Sequence, residues 1–258
     1  MKYKYALVNN VKSAAKKGLK GLCEICASAM TAKCGTHKIH HWAHKKSQNC
    51  DPWWETETEW HRRWKNQYPE SYQEIIVTDS ITGKKHRADI KTPENLTIEF
   101  QYSPITLKER KEREASYKNL IWVVNGTRLK NDIKRFNKHK TQLIPKVKIN
   151  NTIEKDRYIV LPINFERLFP KNWMNWQVPV LFDFNGEIDW EKKDILFCLM
   201  PRKFVDFYVV AEITYKQFID STINGDFINR WKTYKDDQDE SKINMEKVEK
   251  MKKFKRHW

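Results

Sequence analysis

Short apolar runs separated by turn residues occupy residues 73–124 and predict a sheet. Three of them, QEIIVTD (73–79), KKHRADI (84–90) and LTIEFQ (96–101), have the length of strands and are joined by the turn segments SITG and KTPEN. A fourth run, LIWVV (120–124), is apolar throughout and predicts a buried strand. This part of the chain therefore predicts four strands.

Two helices are predicted around these strands. The turn CDP and the acidic residues before EWHRRWK predict a helix that starts near Glu55–Glu57 and ends before Pro69. Thr106 and Glu109 form a capping box, which predicts a second helix over 107–118. The resulting order, helix–strand–strand–strand–helix–strand, indicates a mixed α/β core with a crossover helix between its last two strands.

The second half of the chain carries further strand patterns. The segment TRLKNDIKRFNKHK (127–140) predicts a basic amphipathic helix, and RYIVLPI, VPVLFDF, DILFCLM and FYVVAEIT are apolar runs of strand length. The last segment, INMEKVEKMKKFKRHW, predicts a basic helical tail. Trp173, Trp176 and Trp190 lie among the strands, where core packing is the first interpretation and stacking on unpaired bases is the second.

Composition and charge narrow the class of protein. The chain has 258 residues, a net charge of +16 and 13% aromatic residues, so it is neither disordered nor too short to bury a core. Its apolar runs are too short to span a membrane and its N-terminus lacks a signal-peptide core, which predicts a soluble cytoplasmic protein. Ten lysines and one acidic residue, Glu24, lie in residues 1–50, and this excess favours a polyanionic partner such as nucleic acid.

The same basic segment contains most of the cysteines. Cys23 and Cys26 form a CxxC pair and His41 and His44 form HxxH, which predicts a tetrahedral Zn²⁺ site. A Cys₄ site and a set of free thiols and surface histidines stay open, since further candidates are Cys34, His37, His40 and Cys50. Four lysines around this cluster are expected to contact the DNA backbone: Lys33, Lys38, Lys45 and Lys46.

Two carboxylates occur inside the predicted strands. Asp89 lies at the end of KKHRADI, and Glu99 and Gln101 in IEFQ point to one side because side chains alternate along a strand. If the two strands are neighbours, Asp89 and Glu99 converge and form an oxygen-rich site for Mg²⁺ or Mn²⁺. Such an ion polarises a phosphodiester and generates a hydroxide nucleophile. The alternative is that both are edge-strand charges that face water.

The helix before the sheet carries a polar stripe. Glu57, His61 and Lys65 are spaced i, i+4, i+8 and would share one helix face. Trp60 and Trp64 lie on the neighbouring face and are expected to pack on the sheet. A helix that buries its tryptophans in this way would hold Glu57 or His61 over the two carboxylates; the alternative is a solvated stripe.

Several motifs in a fixed order resemble a known family. HHWAH, ETEWHRRWK and HRADI…IEFQYSPIT…ER…Y…IWVVNG are similar to the competence protein CoiA-like nucleases of the PD-(D/E)XK superfamily. The resemblance covers about residues 20–125 and continues more weakly through WQVPVLFDFNG and DILFCLMP. It implies a restriction-endonuclease-like mixed sheet flanked by helices (α/β, α+β). The Cys/His cluster and the later strand runs add a small N-terminal zinc-binding module and a β-rich C-terminal extension.

The resemblance also implies roles for single residues. It assigns the two metal-binding acids to Asp89 and Glu99, and Gln101 stands where many superfamily members have Lys. Lys65 is then the candidate for the cation near the scissile phosphate. The acid and the histidine of the family's helix correspond to Glu57 and His61, and the arginine of its ER…Y helix, a candidate phosphate contact, corresponds to Arg113. Arg87 is a further candidate for contact with nucleic acid.

Together these patterns predict a domain order and a function. The regions are a zinc-binding module (1–50), a PD-(D/E)XK-like nuclease core (51–145), a β-rich region (146–230) and a charged helical tail (231–258). The predicted function is Mg²⁺- or Mn²⁺-dependent hydrolysis of DNA, single- or double-stranded, in DNA processing, recombination or phage defence. The alternative is a non-catalytic zinc-containing nucleic-acid-binding protein that acts with other recombination or defence proteins.

Overall fold

The computed structural model describes most of the chain, namely residues 2–37, 39–45, 50–79, 82–145, 157–204 and 207–236. Two compact units are present, Met1–Val124 and Asn125–Trp258. Among the described residues, no helix combines the length and the apolar character that a membrane crossing requires. The predicted tail beyond residue 236 lies outside these ranges.

The first unit begins with a five-stranded antiparallel sheet in the order β2-β1-β3-β4-β5. Its strands are β1 (Tyr5–Val8), β2 (Val11–Ala14), β3 (Lys20–Leu22), β4 (Ala29–Lys33) and β5 (His41–His44). Asn9 and Asn10 both have positive φ, as the two-residue turn between β1 and β2 requires. Trp42 is fully buried, and its indole Nε1 donates to the carbonyl of Ser13 at 2.9 Å. The sequence showed no strand pattern here because each strand has only three to five residues.

The second sheet of this unit confirms the predicted order of elements. The chain forms α1 (Glu59–Lys65), β6 (Gln73–Thr78), β7 (Lys85–Lys91), β8 (Thr97–Gln101), α2 (Leu107–Ser116) and β9 (Leu120–Asn125), with a 3₁₀ turn at Glu70–Tyr72. The strand order is β9-β8-β7-β6. β6, β7 and β8 pair antiparallel, whereas β8 and β9 are parallel and joined by α2, since a parallel pair needs a crossover.

Packing on both faces explains why β8 is buried along its whole length. On one face, Trp60 and Trp64 of α1 contact the ring of Phe100 at centroid distances of 6.1 and 5.7 Å. Glu99 points to the opposite face, where its carboxylate meets Arg113 of α2. The predicted packing of the α1 tryptophans on the sheet is therefore confirmed, and the mixed α/β class is confirmed with it.

Helix α1 begins later than the sequence predicted. Thr58 is its N-cap, and a reciprocal capping box joins Thr58 to His61. A capping box satisfies the first free amides of a helix, which sets the helix start at Glu59. Glu57 therefore precedes the helix, and the predicted i, i+4, i+8 stripe on one helix face is wrong for this residue.

The second unit forms an antiparallel sheet in the order β10-β11-β14-β13-β12. Its elements are α3 (Lys130–His139), β10 (Ile144–Pro145), β11 (Arg157–Val160), α4 (Pro162–Leu168), β12 (Val180–Asp183), β13 (Ile195–Phe204), β14 (Phe207–Thr214), α5 (Tyr215–Ile223) and α6 (Asp226–Asp236), with short 3₁₀ turns at Lys140–Gln142 and Lys171–Trp173. The predicted strands are confirmed, whereas α4, α5 and α6 were not predicted.

Three tryptophans of the second unit, Trp173, Trp176 and Trp190, pack against other aromatic rings. Trp173 and Trp176 are buried, and Trp190 packs on Phe197 with its Nε1 donating to Glu212 at 2.7 Å. Core packing, the first interpretation of these residues, is confirmed. Cys198 is also fully buried in the sheet, as expected for a small apolar residue.

Candidate functional site

Three cysteines and one histidine converge at the edge of the N-terminal sheet. The ligand atoms of Cys23, Cys26, His44 and Cys50 all lie within 4.8 Å of one another. Cys26 Sγ is 3.3 Å from His44 Nε2, and Cys23 Sγ is 3.7 Å from Cys50 Sγ. Three thiols and one imidazole in this arrangement fit the donor set of a structural Zn²⁺ site.

The cluster contains Cys50 at the place for which the sequence predicted His41. His41 and His44 lie at opposite ends of β5, and residues three apart in a strand point to opposite faces. His41 Nδ1 instead donates to the carbonyl of Ile39 at 2.8 Å. Cys34, His37 and His40 are also outside the cluster, so the Cys₄ alternative is not formed either.

The thiols of the cluster do not share one charge state. Burial acts to raise the pKa of the Cys26 thiol, but hydrogen bonds with Ser28 outweigh it and hold this pKa below its ordinary value. Burial is the first cause that raises the pKa of Cys50, to about 12. A buried thiol in this state is neutral at physiological pH, and a metal ion would bind its thiolate with release of the proton. The turn that carries the CxxC pair is closed by the amide of Cys23, which donates to Ser28 O at 2.9 Å.

Residues beside the cluster bind strand β7. Glu24 lies inside the CxxC turn, and its carboxylate accepts a hydrogen bond from Arg87 Nη1 at 2.7 Å. Asp51 follows the last ligand and accepts from the backbone amide of Arg87 at 3.0 Å and lies 3.1 Å from His86 Nδ1. The cluster is therefore linked to β7 two residues before Asp89.

A small cleft in the first unit brings together most of the residues that the sequence predicted to be catalytic. Its volume is about 60 Å³, which is room for a metal ion with a few waters. Its lining includes Glu57, His61, Lys65, Asp89 and Glu99. The predicted carboxylate pair and the predicted polar stripe therefore meet in this cleft.

Asp89 and Glu99 lie on neighbouring strands, β7 and β8. Asp89 Oδ2 accepts from the backbone amide of Phe100 at 3.0 Å, which fixes this carboxylate beside β8. Glu99 Oε2 is 3.3 Å from Arg113 Nη1, whereas Oε1 is buried and has no hydrogen-bond partner among the described residues. A buried carboxylate oxygen without a partner is costly, and a metal ion is one group that would satisfy it.

The charge state of Glu99 depends on what occupies the cleft. Burial, followed by the negative charge of Asp89, raises the pKa of the Glu99 carboxyl to about 8. The guanidinium of Arg113 acts in the opposite direction but does not cancel these effects. Without a further cation, the carboxyl is therefore largely protonated at neutral pH.

Lys65 is the central cation of the cleft. Its Nζ lies 2.5 Å from Glu57 Oε1, 3.0 Å from Glu74 Oε1 and 3.6 Å from Asp89 Oδ1. Burial alone would lower the pKa of Lys65, but the carboxylates, Glu74 first, raise it above its ordinary value. The side chain is therefore an ammonium ion held among three carboxylates.

Glu74 belongs to this network but was missed in the sequence. It is buried at the start of β6, opposite Asp89 in the register of β6 and β7, and has a positive φ of 50°. Its Oε2 is 3.6 Å from Arg87 Nη1. A strained backbone at a buried charge is characteristic of functional sites, yet a glutamate at the start of a strand carries no local pattern that reveals this.

Two predicted residues have other partners. His61 Nδ1 accepts from the amide of Thr58 at 3.1 Å, so Nε2 is the ring nitrogen that remains for the cleft. Gln101 Nε2 donates to Glu55 Oε2 at 3.0 Å and to Ser103 O at 2.8 Å. Gln101 is not part of the lining of the cleft, although Glu55 is.

The residues predicted to contact DNA fall into two groups. Lys33 and Lys45 are exposed, whereas Lys38 and Lys46 lie outside the described residues. The two arginines line the cleft, where each is paired with a carboxylate; Arg113 is buried, and Arg87 is half-buried with an enclosed side chain. These arginines therefore lie where they can hold the carboxylates of the cleft in position.

The raised pKa of Glu99 predicts how stability changes with pH. Between its ordinary pKa of 4.5 and about 8, the folded protein keeps a proton that the unfolded chain has lost. The free energy of unfolding therefore falls as pH rises through this window, with a contribution from Glu99 of about 1.4 kcal/mol per pH unit. Chemical denaturation as a function of pH, without added magnesium or manganese, measures this change in the free energy of unfolding. Glu99→Gln should remove this contribution, and equal pH slopes for the two proteins would contradict the prediction.

Comparison with known proteins agrees with the motifs. No curated protein and no solved structure gave a match. One family model matches a segment that contains Asp89 and Glu99. This segment begins after the cysteine cluster, which therefore lies outside the family model. Residues 57–161 match the family model of the competence protein CoiA nuclease-like domain, and the resemblance predicted from the sequence is confirmed.

Proposed function

We propose that the protein is a metal-dependent deoxyribonuclease that hydrolyses phosphodiester bonds. The observation that carries this proposal is the convergence of Asp89 and Glu99 in a small cleft with Lys65, inside the segment that matches a nuclease-like domain. The pathway in which it acts would be DNA processing, recombination or phage defence.

The charges of the cleft favour a divalent cation. Six carboxylates line it, against four lysine and arginine side chains in the part of the chain that the structure describes. Buried carboxylates require neutralisation, and oxygen donors with room for a few waters suit Mg²⁺ or Mn²⁺. The unsatisfied Oε1 of Glu99 supports the same assignment. Asp89 and Glu99 would hold the ion.

Each residue of the cleft then has a chemical role. A bound metal ion would supply Lewis-acid polarisation of the phosphodiester and a hydroxide nucleophile. Lys65 would neutralise the scissile phosphate, and Glu57 holds its ammonium group in place. His61 would orient water through Nε2, and Arg113 orients Glu99. Gln101 acts indirectly, because it holds Glu55 at the wall of the cleft.

The zinc cluster would have a structural role in this nuclease. Its neighbours Glu24 and Asp51 hold Arg87 and hence the strand that carries Asp89. The exposed Lys33 and Lys45 would contact the DNA backbone, and the same role is proposed for Lys38 and Lys46 from the sequence.

Cleavage assays test the proposed activity. Supercoiled plasmid, linear duplex and single strands are incubated with wild-type protein and Mg²⁺, Mn²⁺ or no added metal, and with the Glu99→Ala variant. We expect metal-dependent cutting by the wild type and none by the variant. Zinc content is measured in both, so that loss of the structural metal is not mistaken for loss of the catalytic one. Equal cutting by the variant would contradict the assignment.

A non-catalytic DNA-binding protein is the second candidate. It is favoured by the internal pairing of the cleft, where Lys65 and Arg113 already neutralise part of the charge of Asp89 and Glu99. In that case, the network would be purely structural. Salt-sensitive DNA binding, with no cutting of any substrate under any metal, would favour this candidate over the nuclease.

A further inference from the structure

A second cavity, here called the side pocket, opens next to the cleft within the same unit. Its volume is about 430 Å³. The cleft and the side pocket share four lining residues, Lys2, Tyr3, Glu57 and Lys65, so they lie side by side. A volume of this size is typical of sites for small organic ligands, whereas the cleft has room only for an ion and waters.

The charge of the side pocket is opposite to that of the cleft. Besides the shared lysines, it is lined by Lys4, Arg62, His40 and His41. Glu57 is the single acidic residue among the described residues of its lining. The cleft therefore offers carboxylates for a metal ion, while the side pocket beside it offers cationic groups for an anion.

An apolar wall completes the side pocket. Ala14 and Ala15 contribute small side chains from the end of β2 and the loop that follows, and Ile39 adds a larger one that is 57% exposed. Exposure of a large aliphatic side chain beside cationic groups fits a ligand that has both a flat apolar part and a phosphate. A nucleotide has both parts, whereas inorganic phosphate lacks the apolar part.

Two polar side chains of the side pocket, His41 and Arg62, have atoms that can form hydrogen bonds with a ligand. His41 Nδ1 donates to the carbonyl of Ile39, which places a hydrogen on this nitrogen and leaves Nε2 as the second polar atom of the ring. The guanidinium of Arg62 is 3.8 Å from Glu57, a long ion pair that engages only one of its nitrogens. An arginine has five N–H donors, so most of them stay available for a phosphate.

We propose that the side pocket binds the nucleotide next to the scissile phosphate, with its phosphate at Arg62 and His41 and its base against the wall formed by Ala14, Ala15 and Ile39. This proposal rests on the proposed nuclease function and deepens it. The shared Lys65 and Glu57 would lie between the bound nucleotide and the phosphate that is cut.

The substrate class follows from the shape of this subsite. A base that enters a pocket is not stacked in a duplex, and extracting it from paired DNA costs the free energy of unstacking and unpairing. A single strand or a frayed end offers the base without this cost. The side pocket therefore favours single-stranded substrate over intact duplex.

Binding of short oligonucleotides tests the subsite. The probe is a fluorescein-labelled single-stranded oligothymidylate, measured by anisotropy over a series of salt concentrations without added magnesium or manganese. The variants are Arg62→Ala and His41→Ala. His37→Ala is the matched control, because His37 is an exposed histidine of the same loop that lines neither cavity. Zinc content and melting temperature of all variants establish that the fold is retained.

We expect Arg62→Ala to raise Kd for the single strand about tenfold and to reduce the salt slope by about 0.7, as loss of one phosphate contact predicts. His41→Ala should raise Kd by a smaller factor, and His37→Ala should leave it unchanged. Thymidine monophosphate should compete with the probe at concentrations at which inorganic phosphate does not. Unchanged Kd in both pocket variants, or equal competition by phosphate, would overturn the subsite.

Failure of this subsite and failure of the nuclease are distinguishable. If wild-type protein cuts DNA and the pocket variants keep its KM for single strands, the subsite is overturned and the nuclease stands. If no substrate is cut but the pocket variants lose single-strand binding, the pocket takes a nucleotide in a binding protein and the nuclease is overturned. Raised KM with unchanged kcat in the pocket variants supports both.

Discussion

Replacing Asp89 with asparagine is expected to lower the rate of DNA cleavage by about three orders of magnitude while the fold persists. The asparagine oxygen can still accept the hydrogen bond from the amide of Phe100, which Asp89 accepts at 3.0 Å. The substitution removes the negative charge that would bind the metal ion. Loss of a metal that activates water and neutralises the transition state accounts for a loss of this size. Single-turnover cleavage with Mg²⁺ measures it.

The matched control for this variant is Glu94→Gln. Glu94 is an exposed carboxylate of the turn between β7 and β8, the two strands that carry the acids, so this substitution changes the net charge by the same amount. We expect its cleavage rate and DNA affinity to equal those of the wild type. Asp89→Asn should also bind DNA as tightly as the wild type. Cleavage by Asp89→Asn within a few-fold of the wild-type rate would show that Asp89 does not hold a catalytic metal.

Replacing Cys50 with serine is expected to abolish stoichiometric zinc binding and to destabilise the first unit. The Sγ atom of Cys50 belongs to the cluster with Cys23, Cys26 and His44, and a hydroxyl is a poor substitute for a thiolate ligand of zinc. Structural zinc contributes directly to folding, so a loss on the order of 3 kcal/mol and a fall in Tm of about 10 °C are expected. Zinc analysis of the purified protein and thermal unfolding measure the two effects.

The control for this prediction is His41→Ala. It removes the histidine that sequence spacing favoured as a ligand, but one that points away from the cluster. We expect one zinc ion per chain in this variant, with Tm close to that of the wild type. Zinc lost in His41→Ala and retained in Cys50→Ser would contradict the ligand set seen in the structure.

Loss of zinc is also expected to disturb the arrangement of residues in the cleft. Glu24 and Asp51 flank the zinc ligands and bind Arg87, which lies two residues before Asp89 on β7. Disorder of the CxxC turn would release the contact of Glu24, and disorder around residue 50 would release that of Asp51. We therefore expect Cys50→Ser to lose cleavage activity even at temperatures at which its second unit remains folded.

Local signals were sufficient for the nuclease-like sheet. The strands that carry Asp89 and Glu99 were predicted within one or two residues, since their apolar alternation and the turns between them are encoded in short segments. The helix N-cap at Thr106 was predicted for the same reason, and its side chain accepts from the amide of Glu109 at 3.1 Å. The N-terminal strands were not predicted, because strands of this length show too few alternations.

The network around Lys65 was only partly accessible from sequence. Glu57 reaches Lys65 although it precedes the helix, so the predicted pair exists for a different reason than helical spacing. Glu74 joins them from β6, nine residues after Lys65 along the chain, through a backbone with positive φ. Neither contact follows from a periodicity, because both depend on how the chain returns to the helix.

The sequence by itself determined the order of elements from α1 to β9, the two acids on neighbouring strands and the presence of a zinc-type cluster. These follow from hydrophobic period, turn chemistry and residue type, all of which act over a few neighbouring residues. Only the tertiary structure decided that Cys50 completes the cluster, that Glu74 holds Lys65 and that a basic side pocket adjoins the cleft. These depend on distances between segments far apart along the chain, which are set by packing and not by spacing.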